Sequence, residues 1–249
     1  MKTAIIVPAR LASQRFPEKL LHTVHGKPLI LWTAERIREQ APEYPLWFAV
    51  DSQKLANVLE QEGFHTILTD PDLPCGTDRI AAANRSIGAQ RVINVQADEP
   101  MVTGRQIRQL DQILTPGIDM ATLGRPLSTP ADYDNSNIVK MVRALDGLAL
   151  YFSRSAIPHM RDTHGQFDAN LADDHSVLVH LGLYAYTQTF LERFAQLDPS
   201  PLERLEKLEM LRALENGYRI ASDVTQDRLV AIDVPENVAE FEAALRAFN

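Results

Sequence analysis

Cysteine is nearly absent from this chain of 249 residues, with Cys75 its one example. That excludes an internal disulfide and any multi-cysteine zinc site. Basic residues are in the minority, 25 Lys and Arg against 33 Asp and Glu, for a net charge of −8. A nucleic-acid-binding surface is normally basic, so that class is disfavoured. A small anionic substrate needs only a local cationic pocket and is compatible with the balance. No apolar run approaches the roughly 20 residues that cross a bilayer. Met1 and Lys2 lead straight into a short β-rich run without the pattern of a signal peptide, and a cytoplasmic location is the expectation. Two glycine signatures are missing as well. The chain has no Gly-x-x-x-x-Gly-Lys-Ser/Thr loop and no Gly-x-Gly-x-x-Gly turn. This disfavours a Walker-type nucleotidase and a dinucleotide oxidoreductase.

What is present is an alternation of strand and helix patterns. Strands are expected at residues 3–7, 46–50, 66–68 and 91–95. Helices are expected from about Pro28, which suits a first helical turn, and at 54–61, 77–86 and 104–114. This order implies an α/β fold, a mostly parallel sheet flanked by helices. The second half differs. Residues 138–142 and 148–152 flank Asp146-Gly147 and read as an antiparallel hairpin; 159–176 reads as a polar, mobile loop; 181–186 returns to strand. Ser200-Pro201-Leu202-Glu203 has the form of a capping box. Leu202, Leu205, Leu208 and Leu211 then suggest one helix, ended by Gly217, with Leu202, Leu205 and Leu208 packing in the core or at a subunit contact. Late strands are expected at 219–221 and 229–232, and a closing helix at 241–248. With no repeat and no linker, the expectation is a single domain over 1–249, carrying an inserted antiparallel lobe at about 130–195.

Chemistry concentrates at strand ends. The first strand runs into Pro8-Ala9-Arg10, then Ser13, Arg15, Pro17 and Lys19. An isolated loop cation is usually a solvated charge, but a cluster is different: Arg forks match phosphate oxygens and Lys adds a point charge. The fourth strand runs into Asn94-Val95-Gln96-Ala97-Asp98-Glu99-Pro100. In open α/β sheets, ligands bind at the carboxyl ends of strands. A cationic loop beside strand-end acids suits a nucleotide triphosphate with its metal. Asp233 ends another apolar run. Mg²⁺ takes oxygen ligands, usually one or two carboxylates plus substrate phosphates. Asp98 and Asp233 are therefore candidate ligands, although spacing alone does not bring them together.

These motifs form an ordered series. It includes Pro8-Ala9-Arg10-x-x-Ser13-x-Arg15-x-Pro17-x-Lys19, Gly26-Lys27-Pro28, Gly76-Thr77-Asp78-Arg79 and Asn94-Val95-Gln96-x-Asp98-Glu99-Pro100. It continues through Tyr151-Phe152-Ser153-Arg154, His180-Leu181-Gly182-Leu183-Tyr184, Leu208-Glu209-x-Leu211-Arg212 and Asp233-x-Pro235-Glu236. Over nearly the whole chain the series resembles the 3-deoxy-manno-octulosonate (Kdo) cytidylyltransferase, or CMP-Kdo synthetase, family. The resemblance implies a Rossmann-like nucleotidyltransferase fold and a homodimer. It also implies transfer from CTP to Kdo with Mg²⁺, for lipopolysaccharide biosynthesis. It assigns Arg10, Ser13, Arg15 and Lys19 to the triphosphate, with Arg10 and Lys19 catalytic. Gly76 and Arg79 fall to the cytidine, and Asp98 and Asp233 to the metal and catalysis. Gln96, Arg161, His180, Tyr184 and Glu209 fall to the sugar. Read without it, His180 is more readily a hydrogen-bonded core histidine than a sugar ligand, and Glu209 reads equally as an exposed helix acid. The chain departs from the family pattern at Ser52, Leu73, Cys75, Ala97, Val179, Met210 and Val234. Val179 and Met210 stand where polar residues adjoin the expected sugar site. A related acceptor such as 8-amino-Kdo is therefore the alternative substrate. Ala97 replaces a family glycine and is expected at negative φ, since Ala is costly at positive φ.

Overall fold

A computed structural model describes residues 2–13, 15–170, 177–227, 229–232 and 234–248. Asp233 and the 171–176 part of the expected loop lie outside the described residues. Two compact units emerge, one of residues 1–108 with 228–249, the other of 109–227. The expected lobe at about 130–195 falls within the second.

The first unit begins with β1 (Thr3–Ala9), a 3₁₀ turn (Lys19–Leu21), β2 (Thr23–Val24), β3 (Lys27–Pro28) and α1 (Leu29–Gln40). It continues with β4 (Leu46–Val50), α2 (Gln53–Gln61), β5 (His65–Leu68), α3 (Gly76–Ile87), β6 (Arg91–Asn94) and the start of α4 (Gly104–Ile113). The order β6-β1-β4-β5 is parallel throughout. Ile5, Ile6 and Val7 of β1 are fully buried, as a strand paired on both sides demands. Pro28 stands one position earlier than expected: it precedes α1 with ψ at 141° and pairs with Thr23. His25 and Gly26 both have positive φ, which lets a two-residue turn close the β2–β3 hairpin.

Residues 229–232 do not form the expected strand. Instead, the Ile232 N–H donates to the Asp98 carbonyl at 3.1 Å. Val230 and Ile232 enter a core with Phe16, Met101 and Phe241. Phe241 belongs to α9 (Asn237–Phe248) and meets Trp32 edge-on at 5.7 Å. The apolar pattern that suggested a strand is thus used for packing rather than for a ladder.

The second unit contains β7 (Met120–Pro126), α5 (Pro130–Asp134), β8 (Lys140–Arg143), β9 (Ala149–Ser153) and β10 (Val177–Thr187). It ends with α6 (Gln188–Phe194), α7 (Pro201–Glu206), α8 (Met210–Glu215) and β11 (Ile220–Val224). β11 joins β7 in parallel, while β7–β10, β10–β8 and β8–β9 are antiparallel. Asp146-Gly147 turns the expected hairpin, with Gly147 at φ 85°.

The helix expected through residues 201–217 is broken in two. Ser200 and Glu203 form the anticipated capping box, but Lys207 adopts the left-handed region and ends α7. A continuous helix would set Glu203 and Arg212 about 13.5 Å apart along its axis. The break brings Arg212 back onto both Glu203 oxygens, at 2.8 and 2.6 Å. Leu208 and Leu211 are buried in this fold-back, whereas Leu205 is 79% exposed and takes no part in the core of the chain.

Candidate active site

Three strand ends of the first unit shape one cavity of about 1030 Å³. After β1 come Arg10, Ser13, Arg15 and Lys19; after β4, Asp51 and Ser52; after β6, Gln96, Ala97 and Asp98. The volume matches the upper range of small-molecule sites. The site therefore lies at the carboxyl edge of a parallel sheet, where α/β folds place ligands.

Local structure explains how each side chain arrives there. The Leu11 N–H donates to Asp51 Oδ1 at 2.9 Å, tying the loop after β1 to the end of β4. Glu18 sits at φ 49°, a rare left-handed conformation for a non-glycine residue. Its carboxylate is held by Lys54 at 2.7 and 2.9 Å. Phe16 and Leu20 are buried on either side of the turn. The result points Lys19 across the cavity, where its Nζ contacts Asp98 Oδ2 at 2.5 Å. The acid is held from two directions. Ile232 donates to its carbonyl, and Thr33 Oγ1 donates to the Ala97 carbonyl at 2.9 Å. Ala97 is not among the residues of positive φ, as expected for a position without glycine.

Of the residues expected to bind nucleotide or metal, Arg10, Ser13, Arg15, Lys19 and Asp98 share this cavity, and Gln96, expected at the sugar, joins them. Gly76 and Arg79 do not line it. Gly76 opens α3, and a Cβ there would lie 3.5 Å from the Pro8 ring. Arg79 is buried in α3 and donates to Thr69 Oγ1 and the Asp70 carbonyl. Burial pushes its guanidinium pKa down; Asp51 and Asp70 oppose that and Arg10 adds to it. Sequence reasoning missed Asp51. The signal was available, because Asp51 follows a buried strand just as Asp98 follows its own apolar run.

Among the described residues, no group of three or more His, Cys, Asp or Glu could hold a metal ion by itself. The chemistry of Asp98 nevertheless fits Mg²⁺, a hard cation that completes its shell from substrate phosphates and water.

The expected sugar residues of the second unit are distributed over three elements. His180 and Tyr184 lie on β10, across a register shift, with ring centroids 5.4 Å apart. Phe152 meets His180 edge-on at 5.0 Å. Tyr184 stacks on Tyr186, and both are buried. Desolvation pushes the His180 imidazole down to about 3, so the ring is neutral near pH 7. Arg161 is exposed on the turn that follows Met160. Glu209 is half-buried at the start of α8. Val179 lies in an apolar cluster with Leu127, Tyr133, Met160 and Val177. Met210 is 4% exposed.

Residues 4–220 match the family model described as Cytidylyltransferase. The chain belongs to the cytidylyltransferase family. It is 41% identical to the 3-deoxy-manno-octulosonate cytidylyltransferase of Chloroherpeton thalassium, covering 98% of each chain. It is 39% identical to the 8-amino-3,8-dideoxy-manno-octulosonate cytidylyltransferase of Shewanella sp. strain W3-18-1, covering 99% of this chain and all of the relative. A solved structure of CMP:2-keto-3-deoxy-manno-octonic acid synthetase complexed with CTP has the same fold. Its TM-score is 0.90 at 31% identity, over the full length of both chains. This cytidylyltransferase therefore has the Rossmann-like nucleotidyltransferase architecture that the family resemblance implied, built on the mostly parallel sheet expected from its strand and helix order.

Proposed function

We propose that this cytidylyltransferase activates Kdo with CTP, giving CMP-Kdo and pyrophosphate for lipopolysaccharide biosynthesis. The observation that carries this reading is the convergence of Arg10, Arg15, Lys19 and Asp98 on one cavity, in a chain similar end to end to a named Kdo cytidylyltransferase. The anomeric hydroxyl oxygen of the sugar acid attacks the α-phosphorus. The α–β phosphoanhydride bond breaks, pyrophosphate leaves with the electron pair, and the hydroxyl proton passes to solvent. The protein contributes position and charge rather than covalent chemistry. Arg10, Ser13, Arg15 and Lys19 hold the triphosphate, while Gly76 and Arg79 shape the cytidine side. Asp98 and Asp233 hold Mg²⁺, which supplies charge stabilisation at the phosphoryl oxygens. Gln96, Arg161, His180, Tyr184 and Glu209 serve the sugar acid. The neutral His180 contributes there through hydrogen bonding and packing, not charge. The same reading carries a cytoplasmic location and a homodimer.

A second reading, activation of 8-amino-Kdo, is favoured by the Shewanella relative, whose identity of 39% nearly equals that of the Kdo enzymes. Pyrophosphate release with CTP, Mg²⁺ and a panel of Kdo, 8-amino-Kdo and another ulosonic acid separates the two. Release with Kdo above the others supports the first reading, and preference for the amino sugar supports the second. No release with any acceptor overturns both.

A further inference from the structure

A cation and an acid that both line the cavity are paired with each other. Lys19 Nζ sits 2.5 Å from Asp98 Oδ2, with side-chain exposures of 11% and 22%. The pair is therefore largely withdrawn from water. Yet the proposed function, on which this inference rests, asks each partner to do something else. Lys19 is to meet phosphate and Asp98 a divalent cation.

We infer that the Lys19–Asp98 pair is a latch: without nucleotide each group masks the other's ligand site, and the triphosphate opens it by drawing the ammonium away. The two partners are not equally free to move. Asp98 sits on a backbone fixed by Ile232 at its own carbonyl and by Thr33 at the Ala97 carbonyl. Lys19 carries its charge on a flexible four-carbon stem, from a turn anchored by Phe16, Leu20 and the Glu18–Lys54 pair. The moving part is thus the lysine head. Arg10 and Arg15, both exposed on the same cavity, offer an incoming phosphate its first contacts. Once the ammonium has shifted onto phosphate, the carboxylate is bare, and its charge needs a new partner. Removing one member of a half-buried ion pair leaves the other uncompensated. The latch therefore makes divalent cation and triphosphate each bind weakly alone and well together.

Two binding measurements on the full chain, neither using turnover, test this. Mn²⁺ binding without nucleotide is followed by electron paramagnetic resonance for the wild type and Lys19→Met. The variant is expected to bind about tenfold more tightly or better, because Asp98 has lost its counter-ion. Pyrophosphate binding in EDTA is followed by calorimetry for the wild type and Asp98→Asn. Again the variant is expected to bind more tightly, because Lys19 no longer faces the Asp98 charge. Lys19→Gln stands in should Lys19→Met fail to fold, and Lys19→Arg, keeping the charge, should restore weak Mn²⁺ binding. Equal Mn²⁺ affinity in wild type and variant, or binding by neither, overturns the latch. So does pyrophosphate binding unchanged by Asp98→Asn. The acceptor panel decides the proposed reaction independently, so a broken latch with an active enzyme is a distinguishable result.

Discussion

His180 Nε2 lies 3.0 Å from Thr122 Oγ1, and that hydroxyl also lies 2.8 Å from the Leu183 carbonyl. A threonine hydroxyl has one proton to give. Given to Leu183, it leaves Thr122 as the acceptor and His180 as the donor through Nε2–H. The ring is then a neutral tautomer wedged between Phe152 and Tyr184, and protonation would put a charge into that packing.

This geometry predicts an acid-sensitive fold. The His180 pKa is about 3 in the folded chain, against 6.5 as its ordinary value. Between those values the unfolded chain binds a proton that the folded chain refuses. Stability from this group is complete above pH 6.5 and is lost as pH falls toward 3, at up to about 1.4 kcal/mol per pH unit. His180→Asn should flatten the dependence of urea-unfolding free energy over that window. An unchanged slope would place the acid sensitivity elsewhere.

Arg212 belongs to a motif shared with the Kdo family, but its geometry is structural. It pairs with Glu203 through two contacts, stacks over Phe194 at 4.4 Å and is 2% exposed. Arg212→Ala should destabilise the chain by about 3–5 kcal/mol, because Glu203, still bonded to the Ser200 N–H, is left half-buried without its counter-ion. The double variant Glu203→Leu with Arg212→Met should regain much of the loss. Denaturant midpoints check both. Equal losses in the single and double variants would show that packing, not charge, holds α7 to α8.

The proposed metal acid has a kinetic signature. Asp98→Asn keeps the size of the side chain and removes its charge. The fold should survive, while kcat drops by about two orders of magnitude or more, the scale of lost metal and electrostatic stabilisation. Circular dichroism with pyrophosphate-release kinetics makes the comparison. A variant with near-wild-type turnover would exclude Asp98 as a ligand that matters in the transition state.

Much of this arrangement was legible in the residues because it depends on local patterns. Strand ends β1 and β6 carry their charges in sequence order, so Arg10, Lys19 and Asp98 could be proposed before their contact was seen. Asp51 obeys the same rule and was overlooked only because a single acid after β4 carries no neighbouring motif. Other features depend on tertiary contacts. Nothing in Leu205-Glu206-Lys207-Leu208 announces a helix break, since leucine, glutamate and lysine all favour helix. The Glu203–Arg212 fold-back and the Glu206 bonds to Ser153 and Arg154 override that preference. Residues 229–232 similarly have a strand's composition, but their apolar side chains are claimed by the cluster around Phe241.

Met210 provides the sharpest contrast between motif and structure. The resemblance places position 210 beside the sugar, where a glutamine amide would hydrogen-bond and a thioether offers only weak acceptance. In the fold, Met210 opens α8 with 4% exposure, its side chain among buried neighbours rather than facing solvent. A glutamine introduced there brings two donors and an acceptor into an enclosed site. Each group left unsatisfied costs about 1–3 kcal/mol. Met210→Gln should therefore lower the denaturant midpoint, leave the CTP KM nearly unchanged and bring no gain in kcat/KM for Kdo. Met210→Leu, similar in volume and without new polar groups, should cost less than about 1.5 kcal/mol. A several-fold gain in kcat/KM for Kdo with Met210→Gln, at undiminished stability, would overturn the structural assignment. It would show instead that the side chain at 210 reaches the acceptor.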